Sequence, residues 1–192
     1  MAKVLERSLY KEDYYAWTKQ QAEELRRLAA ARIKSTLDLE NLAEEVESLG
    51  QSELNTVRSQ TRRIIEHLLK LEYSPAADPR LQWRRSVNEA RDEVADHLTA
   101  ALRRDLEPDV LTQFDRGRRN AELAMIEHGE REAAKALPRT RPYDLDQIIG
   151  HAGTPRTATA WSTRSPATAE QRSPRGAAAP AYAASWKMMP SV

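Results

Sequence analysis

The chain has 192 residues, 40% of them hydrophobic and 31% charged, with a formal net charge of +1 at pH 7 and no cysteine. This length suits one ordinary domain with some chain left over, and the lack of cysteine excludes disulfides, thiol catalysis and metal sites built on cysteine. No stretch approaches the ~20 apolar residues of a membrane helix, and residues 1–15 lack a signal-peptide core, so we expect a cytoplasmic protein.

The charge is divided unevenly along the chain. Residues 151–192 contain five basic residues and one acidic residue, a net charge of +4. Residues 1–150 therefore hold 25 basic and 28 acidic residues, a net charge of -3. A mildly acidic body of mixed charge gives no electrostatic argument for nucleic-acid binding, so we do not expect nucleic acid to be the main partner.

The first predicted helix carries an apolar stripe at alternating spacings of four and three residues, interrupted only by Gln21. The stripe consists of Tyr10, Tyr14, Trp17, Leu25 and Leu28. We interpret its aromatic members as bundle core, with an interface hot spot as the alternative. Tyr15 lies about 100° away from the stripe, so we expect it to be exposed and name it a candidate interface residue.

The second predicted helix covers the motif DLENLAEEVESLG at residues 38–50. Thr36 or Asp38 suits the N-cap, and Gly50 suits a stop or kink. Its apolar stripe spans about 80° of the helix surface and consists of Leu39, Leu42, Val46 and Leu49. Three carboxylates on the opposite side are expected to face solvent: Glu40, Glu44 and Glu47.

Three more helices are predicted. The third carries apolar residues at helical spacing from Leu54 to Leu71 and ends at the proline-containing loop 74–80. The fourth begins near Trp83, a second candidate interface residue, and continues to about residue 102, whereas the fifth begins after Pro108. A second proline-marked connection precedes a last helical turn in DLDQII. No alternating β pattern is present, so we predict an all-α bundle of about five helices.

One polar cluster is a candidate enzyme site. Glu45 lies at the edge of the second stripe, and Glu53 falls within it if the helix continues past Gly50. His67 flanks the stripe of the third helix. A helix–helix seam would bring these three side chains together, although a histidine hydrogen-bonded across a helix interface is the simpler reading.

We predict no metal or cofactor site. A di-iron bundle needs Glu-x-x-His on two helices, and the chain contains none. Glu93 and His97 have i,i+4 spacing, but one such pair does not make a site. Motifs for nucleophilic catalysis, phosphate binding and dinucleotide binding are absent from the sequence. Four arginine pairs, at 62–63, 84–85, 103–104 and 118–119, are interleaved with acids, which is typical of a solvated face.

Several stretches across residues 9–149 resemble the bacterial "domain of unknown function 29" family. They are YKEDYYAWTKQQAEELR, LDLENLAEEVESLGQSE, IIEHLLKLEY, a later W-R-x-S-V and PYDLDQII. The longest agreement is in the second stretch, at Asp38, Asn41, Glu44, Glu45, Glu47 and Gly50. The resemblance implies a small cytoplasmic all-α bundle and implies no reaction or catalytic residue.

Residues 151–192 differ in composition from the body. They contain eleven alanines and five of the ten prolines but no leucine or isoleucine, whereas residues 1–150 contain twenty leucines. Such a segment buries too little apolar surface to offset its ordering entropy, so we expect a disordered tail beside one domain at 1–150. The tail follows the family-like segment abruptly, and we interpret it as an out-of-frame or acquired extension. A coding sequence without a family-like ending in the shifted frame would contradict the out-of-frame origin.

Three classes of function stay open at this point. The first is a protein-interaction or regulatory module of antitoxin-like type, which self-associates or docks on a partner protein. The second is an enzyme that uses the cluster of Glu45, Glu53 and His67. The third is a nucleic-acid-binding protein, which requires a contiguous arginine surface and predicts a steep salt dependence.

Overall fold

The computed structural model describes residues 9–32 and 34–150, and within these ranges the chain is helical and forms no strand. Its helices are α1 (Tyr14–Ala30), α2 (Leu39–Tyr73), α3 (Arg80–His97), α4 (Ala100–Leu106), α5 (Val110–Glu127), α6 (Arg131–Lys135) and α7 (Leu145–Ile149). The predicted all-α bundle is confirmed. The expected tail at 151–192 lies outside the described residues.

Helix α2 is continuous over 35 residues, so the predicted stop or kink at Gly50 is wrong. Its N-cap is Asp38, whose Oδ1 accepts a hydrogen bond from the Asn41 amide at 3.2 Å. Ser74 is extended, as the residue before Pro75 should be, and ends the helix. The predicted second and third helices are therefore one rod, about 50 Å long.

The main core surrounds the second half of α2, on which α3 and α5 pack. Side chains there are large and fully buried, and they include Ile64, Ile65, Leu69 and Phe114. The predicted core positions Val87 and Val94 of α3 are buried as well, whereas Leu111 of α5 is exposed. Close approach of α5 is possible at Gly117, since a Cβ there would lie 2.9 Å from the Arg62 carbonyl oxygen.

Helix α1 packs against the first half of α2 through small residues. Its buried positions are Tyr15, Thr18 and Ala22, and those at the start of α2 are Ala43 and Gly50, with Gly50 against Tyr15 and Thr18. These lines are offset by one position from both predicted apolar stripes. The interpretation of Tyr10 as bundle core is therefore wrong, and Leu42 and Leu49 of the second stripe are exposed as well. A Cβ on Gly50 would lie only 2.2 Å from Thr18 Oγ1, which shows why the closest contact uses glycine.

The predicted fourth helix is two helices. Helix α3 ends at His97, and Thr99 caps α4, because its Oγ1 accepts a hydrogen bond from the Leu102 amide at 3.2 Å. The same hydroxyl donates to Asp13 Oδ1 at 2.9 Å, and Asp13 also caps α1. One carboxylate thus joins the starts of two helices.

A closing segment, residues 143–149, docks on α2 and α3. Tyr143 is buried and its hydroxyl donates to Glu72, while Leu145 and Ile148 join the core. The buried Arg91 guanidinium donates to the carbonyl oxygens of Ile148 at 2.9 Å and Gln147 at 3.0 Å. These bonds satisfy carbonyls that the end of α7 leaves free.

Candidate functional site

The proposed cluster of Glu45, Glu53 and His67 does not form. All three residues lie on the uninterrupted helix α2. At 1.5 Å per residue, Glu53 is about 12 Å from Glu45 and about 21 Å from His67 along the axis. The hypothesis required His67 to lie on a separate helix from Glu45 and Glu53, and one continuous helix from Leu39 to Tyr73 leaves no seam between them.

Each member of the cluster has a different environment. Glu45 is exposed. Glu53 Oε2 lies 2.9 Å from His97 Nδ1, and Nε2 of the same ring lies 3.5 Å from Glu93 Oε1. This His97 ring, held between two partly exposed carboxylates, ties the end of α3 to α2. Among the described residues no group of three or more histidine or acidic side chains is arranged to hold a metal ion.

His67 is partly buried on α2, and its buried Nδ1 has no hydrogen-bond partner in the described part of the chain. Burial lowers the pKa of His67 from 6.5 to about 4, and the positive charges of Lys70 and Arg63 act in the same direction. The ring is therefore neutral at physiological pH.

The motif at residues 38–50 has structural contacts. Asp38 caps α2 and also accepts a 2.6 Å hydrogen bond from the Asn41 side chain. Glu47 pairs with Arg26 of α1, and Gly50 is the closest contact between the two helices. As predicted, Glu40, Glu44 and Glu47 face solvent. The motif specifies how α1 and α2 meet.

Tyr15 is buried, only 3% exposed, so its expected exposure is wrong. Its hydroxyl donates to Asp105 Oδ2 at 2.8 Å, and Lys19 Nζ lies 2.8 Å from the same oxygen. The hydrogen bond from Lys19 lowers the pKa of Asp105 to about 2, with further help from Tyr15. This network holds α1 against α4 and leaves Tyr15 no part in a surface.

The exposed apolar surface lies on another side of the α1–α2 hairpin. Tyr10 is 52% exposed and its ring centroid lies 4.8 Å from that of Trp17, edge to face. Tyr14 stacks on Trp17 at 5.7 Å. On α2, Leu42 and Leu49 are 39% and 50% exposed. We define the hairpin face as these residues with their partly buried neighbours: Tyr10, Tyr14, Trp17, Leu25, Leu28, Leu42, Val46 and Leu49.

Helical register places the hairpin-face residues of α1 and α2 on one side, and Tyr10, which precedes α1, joins them through its ring contacts with Tyr14 and Trp17. The residues on α1 lie about 50 to 130° from the buried line through Tyr15 and Thr18, and those on α2 about 50 to 110° from the line through Ala43 and Gly50. The Arg26–Glu47 ion pair lies on the other side of both lines. On both helices the hairpin-face residues are rotated in the same sense from the buried line. Because α1 and α2 are antiparallel, rotation in the same sense places these residues on the same side of the hairpin.

Other exposed apolar residues do not form such a group. On α5, Leu111 is about 18 Å along the helix axis from Leu123 and points about 120° away from it, while Ile126 lies between the two directions. Scattered exposed apolar side chains of this kind are normal. Trp83 is partly buried against the core, with Lys70 Nζ 5.5 Å from the centre of its ring. As a candidate interface residue it is therefore less accessible than the hairpin face.

The charged surfaces are mixed. Ion pairs with acids occur within the arginine pairs, through Arg63–Glu89, Arg103–Asp146, Arg104–Asp105 and Arg118–Glu122. A polar recess of about 550 Å³ between α5 and α6 carries both signs of charge, with Arg118 and Lys135 facing Asp115 and Glu122. Neither surface presents a contiguous run of one sign.

Sequence reasoning missed the true burial line of the hairpin and the partner of Glu53. A signal for the first was present, because Thr18, Ala22, Ala43 and Gly50 recur at helical spacing as small residues. No local signal identified His97 as the partner of Glu53, since the two residues are brought together by the packing of α3.

Three comparisons place the chain among known proteins. Residues 9–152 match the family model described as Domain of unknown function DUF29. A crystal structure at 1.45 Å resolution of an alpha-helical protein of unknown function from Rhodospirillum rubrum ATCC 11170 is similar to it, with a TM-score of 0.66 and 28% identity. That match covers 74% of this chain and 90% of the other. No curated protein matches the chain.

None of the helices that the structure describes combines the length and the apolar character that a membrane span requires.

Proposed function

The chain belongs to the family Domain of unknown function DUF29, and from its geometry we propose that it is a protein-interaction module whose hairpin face docks other helices. The observation that carries the proposal is the position of the hairpin face, an exposed aromatic and aliphatic group outside the core. We further propose a regulatory role in the cytoplasm, of the antitoxin-like type expected from the sequence.

The composition of the hairpin face supports docking. Apolar surface removed from water contributes about 25 cal/mol per Å², so contiguous exposed apolar groups stabilise a complex when they are covered. Tyrosine and tryptophan are enriched among the residues that dominate binding energy. The rings of Tyr10, Tyr14 and Trp17 already pack on one another, so binding would cost little side-chain entropy.

The alternative functions have less support. An enzyme that uses Glu45, Glu53 and His67 would need the three groups within reach of one substrate, and α2 separates them. Direct nucleic-acid binding would need a basic surface free of acids, whereas the arginine pairs are largely ion-paired.

Site-specific photo-crosslinking in the native organism tests the proposal. Benzoylphenylalanine would replace Leu49 in the hairpin face and, as the matched control, Leu111 on α5, which is similarly exposed at 58%. We expect a discrete protein adduct at Leu49, identified by mass spectrometry, and none at Leu111. Equal labelling at both positions, or no protein adduct at Leu49, would contradict the proposal.

A further inference from the structure

We infer that the hairpin face binds the hairpin face of a second copy, so that two chains form an antiparallel four-helix bundle with α1 of each copy against α2 of the other. This inference rests on the proposed function and names its partner. In a two-fold symmetric dimer the same patch of each copy contacts its equivalent on the other copy. A patch with an apolar centre is complementary to itself in this way.

The hairpin has the pattern of half a four-helix bundle. Helix α1 carries partly buried apolar residues at helical spacing beside its seam, interrupted by Gln21, and the first half of α2 carries Leu42, Val46 and Leu49 at spacings of four and three. Bundle helices carry such stripes toward a shared core formed by four helices. Here each stripe lies beside the intramolecular seam, on the same side of both helices, and so faces outward. A second hairpin supplies the two missing helices.

Charge decides which helices face each other. Residues 38–57, the first half of α2, contain six acids and no lysine or arginine. Residues 14–34, mainly α1, contain five bases and two acids. Pairing α2 with α2 of the second copy would bring like charges together, whereas pairing α1 with α2 brings opposite charges together. The two-fold axis therefore runs parallel to the helices.

That axis fixes the register. Rotation about this axis does not change the position of a residue along the bundle. Each α1 residue therefore lies opposite those α2 residues of the second copy that, in its own chain, are at the same level along the bundle. The Arg26–Glu47 pair and the Gly50–Thr18 contact set this level within the hairpin. Leu28 of one copy therefore lies opposite Leu42 of the second copy, and Leu25 opposite Val46. Apolar residues meet apolar residues along this part of the seam.

The available area is sufficient for a dimer. Helix α1 has 17 residues, so the hairpin is about 25 Å long and, with two helices of about 10 Å diameter, about 20 Å wide. The projected area is about 500 Å² on each copy, or about 1,000 Å² in total, which is the lower bound for a specific interface. We therefore expect a reversible dimer.

Sedimentation of the full chain tests the association. We expect an apparent mass of twice the 21.8 kDa chain as concentration rises through about 1 to 100 μM, the range for a modest interface. The double variant Leu42→Glu/Leu49→Glu should weaken the dimer about 100-fold without loss of helix content. The matched control, Leu111→Glu/Leu123→Glu on α5, should dimerise like the wild type. A monomeric wild type, or equal loss in the control, overturns the inference.

A crosslinking experiment tests the pairing. Because the chain has no cysteine, Leu28→Cys and Leu42→Cys each introduce a single thiol. A disulfide requires the two Cβ atoms to lie within about 3.5 to 4.5 Å, so mild oxidation should join the two variants when they are mixed and should not join either variant to itself. Efficient self-crosslinking of Leu42→Cys would instead show α2 against α2 and would overturn the pairing.

The outcomes separate this inference from the proposed function. A Leu49 photo-adduct with a different protein, together with a monomeric purified chain, overturns the second copy as partner and leaves the docking role standing. A dimer that survives Leu42→Glu/Leu49→Glu, with no photo-adduct at Leu49, overturns both.

Discussion

The two halves of α2 differ in what they bury. From Leu54 onward the helix is enclosed by α3 and α5, and its large aliphatic side chains are inaccessible to solvent. From Leu39 to Gly50 only Ala43 and Gly50 are buried, while Leu42 and Leu49 remain exposed. One continuous helix therefore supplies the core with one half and presents a surface with the other.

The two halves of α2 should therefore contribute differently to the free energy of unfolding. Large buried side chains contribute most of the apolar burial, so the second half of α2 should dominate the free energy of unfolding. The hairpin relies on close contact between small residues and on polar ties through Asp13 and Asp105. Tyr10, Leu42 and Leu49 remain at its surface.

The largest expected effect is in the core. Phe114→Ala should lower the free energy of unfolding by about 3 to 5 kcal/mol, because Phe114 is fully buried and truncation leaves a cavity. Leu49→Ala, measured in the dilute monomer, should change it by less than about 0.5 kcal/mol. Urea denaturation followed by circular dichroism measures both. Similar losses at the two positions would remove the contrast between the halves.

Arg91→Met should lower the free energy of unfolding by about 2 kcal/mol, because it leaves the carbonyl oxygens of Gln147 and Ile148 without their donor. Hydrogen exchange should accelerate first in the closing segment. The control is Arg103→Met, which removes an exposed ion pair with Asp146 and should cost less than about 1 kcal/mol. Equal costs would show that the buried guanidinium has no special role.

Gly50 and Gly117 both lie at close contacts between helices, but an added Cβ would meet a side chain at Gly50 and a backbone carbonyl oxygen at Gly117. Gly50→Ala and Gly117→Ala should each cost about 1 to 2 kcal/mol, since overpacking exceeds the gain in helix propensity. Thr18→Ala should rescue Gly50→Ala, because the obstacle is the Thr18 side chain. No side-chain truncation should fully rescue Gly117→Ala, whose Cβ meets the Arg62 carbonyl oxygen. Thermal unfolding of the double variants decides this.

The core half should respond to mild acid. The pKa of His67 is lowered to about 4 from 6.5, so the unfolded chain binds more protons between these values, and stability falls as pH drops from 6.5 toward 4. His67→Gln should reduce the loss of unfolding free energy between pH 6.5 and pH 4 by about 1 to 2 kcal/mol. The exposed His128→Gln is the control and should leave it unchanged.

The hairpin should respond only to stronger acid, and by less. The pKa of Asp105 is lowered to about 2, so its stabilising effect is complete above about pH 4 and disappears as pH falls toward 2. Since solvent reaches 24% of its side chain, we expect about 1 kcal/mol. Asp105→Asn should remove this acid sensitivity. Asp115→Asn, at an exposed position, is the control for a general charge effect.

The same contrast explains what the sequence could predict. The second half of α2 follows from periodicity because Ile64, Leu68 and Leu71 are large and form a single stripe. In the hairpin two stripes compete, one large and apolar, the other small, and periodicity favours the large one although the small one is buried. Small residues allow close packing but carry little hydrophobic signal.

The candidate site failed for a different reason. Its assembly depended on His67 lying on a separate helix that packs against the helix of Glu45 and Glu53, whereas all three residues lie on α2. The residue that suggested a break, Gly50, instead marks a close contact with Thr18. The pairing of Glu53 with His97 spans 44 residues and is set by tertiary packing. No local pattern of spacing contains that information.

Hydrogen exchange of the full chain beside Leu42→Glu/Leu49→Glu, at a concentration above the dissociation constant expected for the proposed dimer, tests whether a second copy covers the hairpin face. We predict faster exchange in the variant across residues 14–30 and 39–50, with exchange across 54–73 unchanged. Identical exchange in the two proteins, or acceleration centred on residues 54–73, would contradict this prediction.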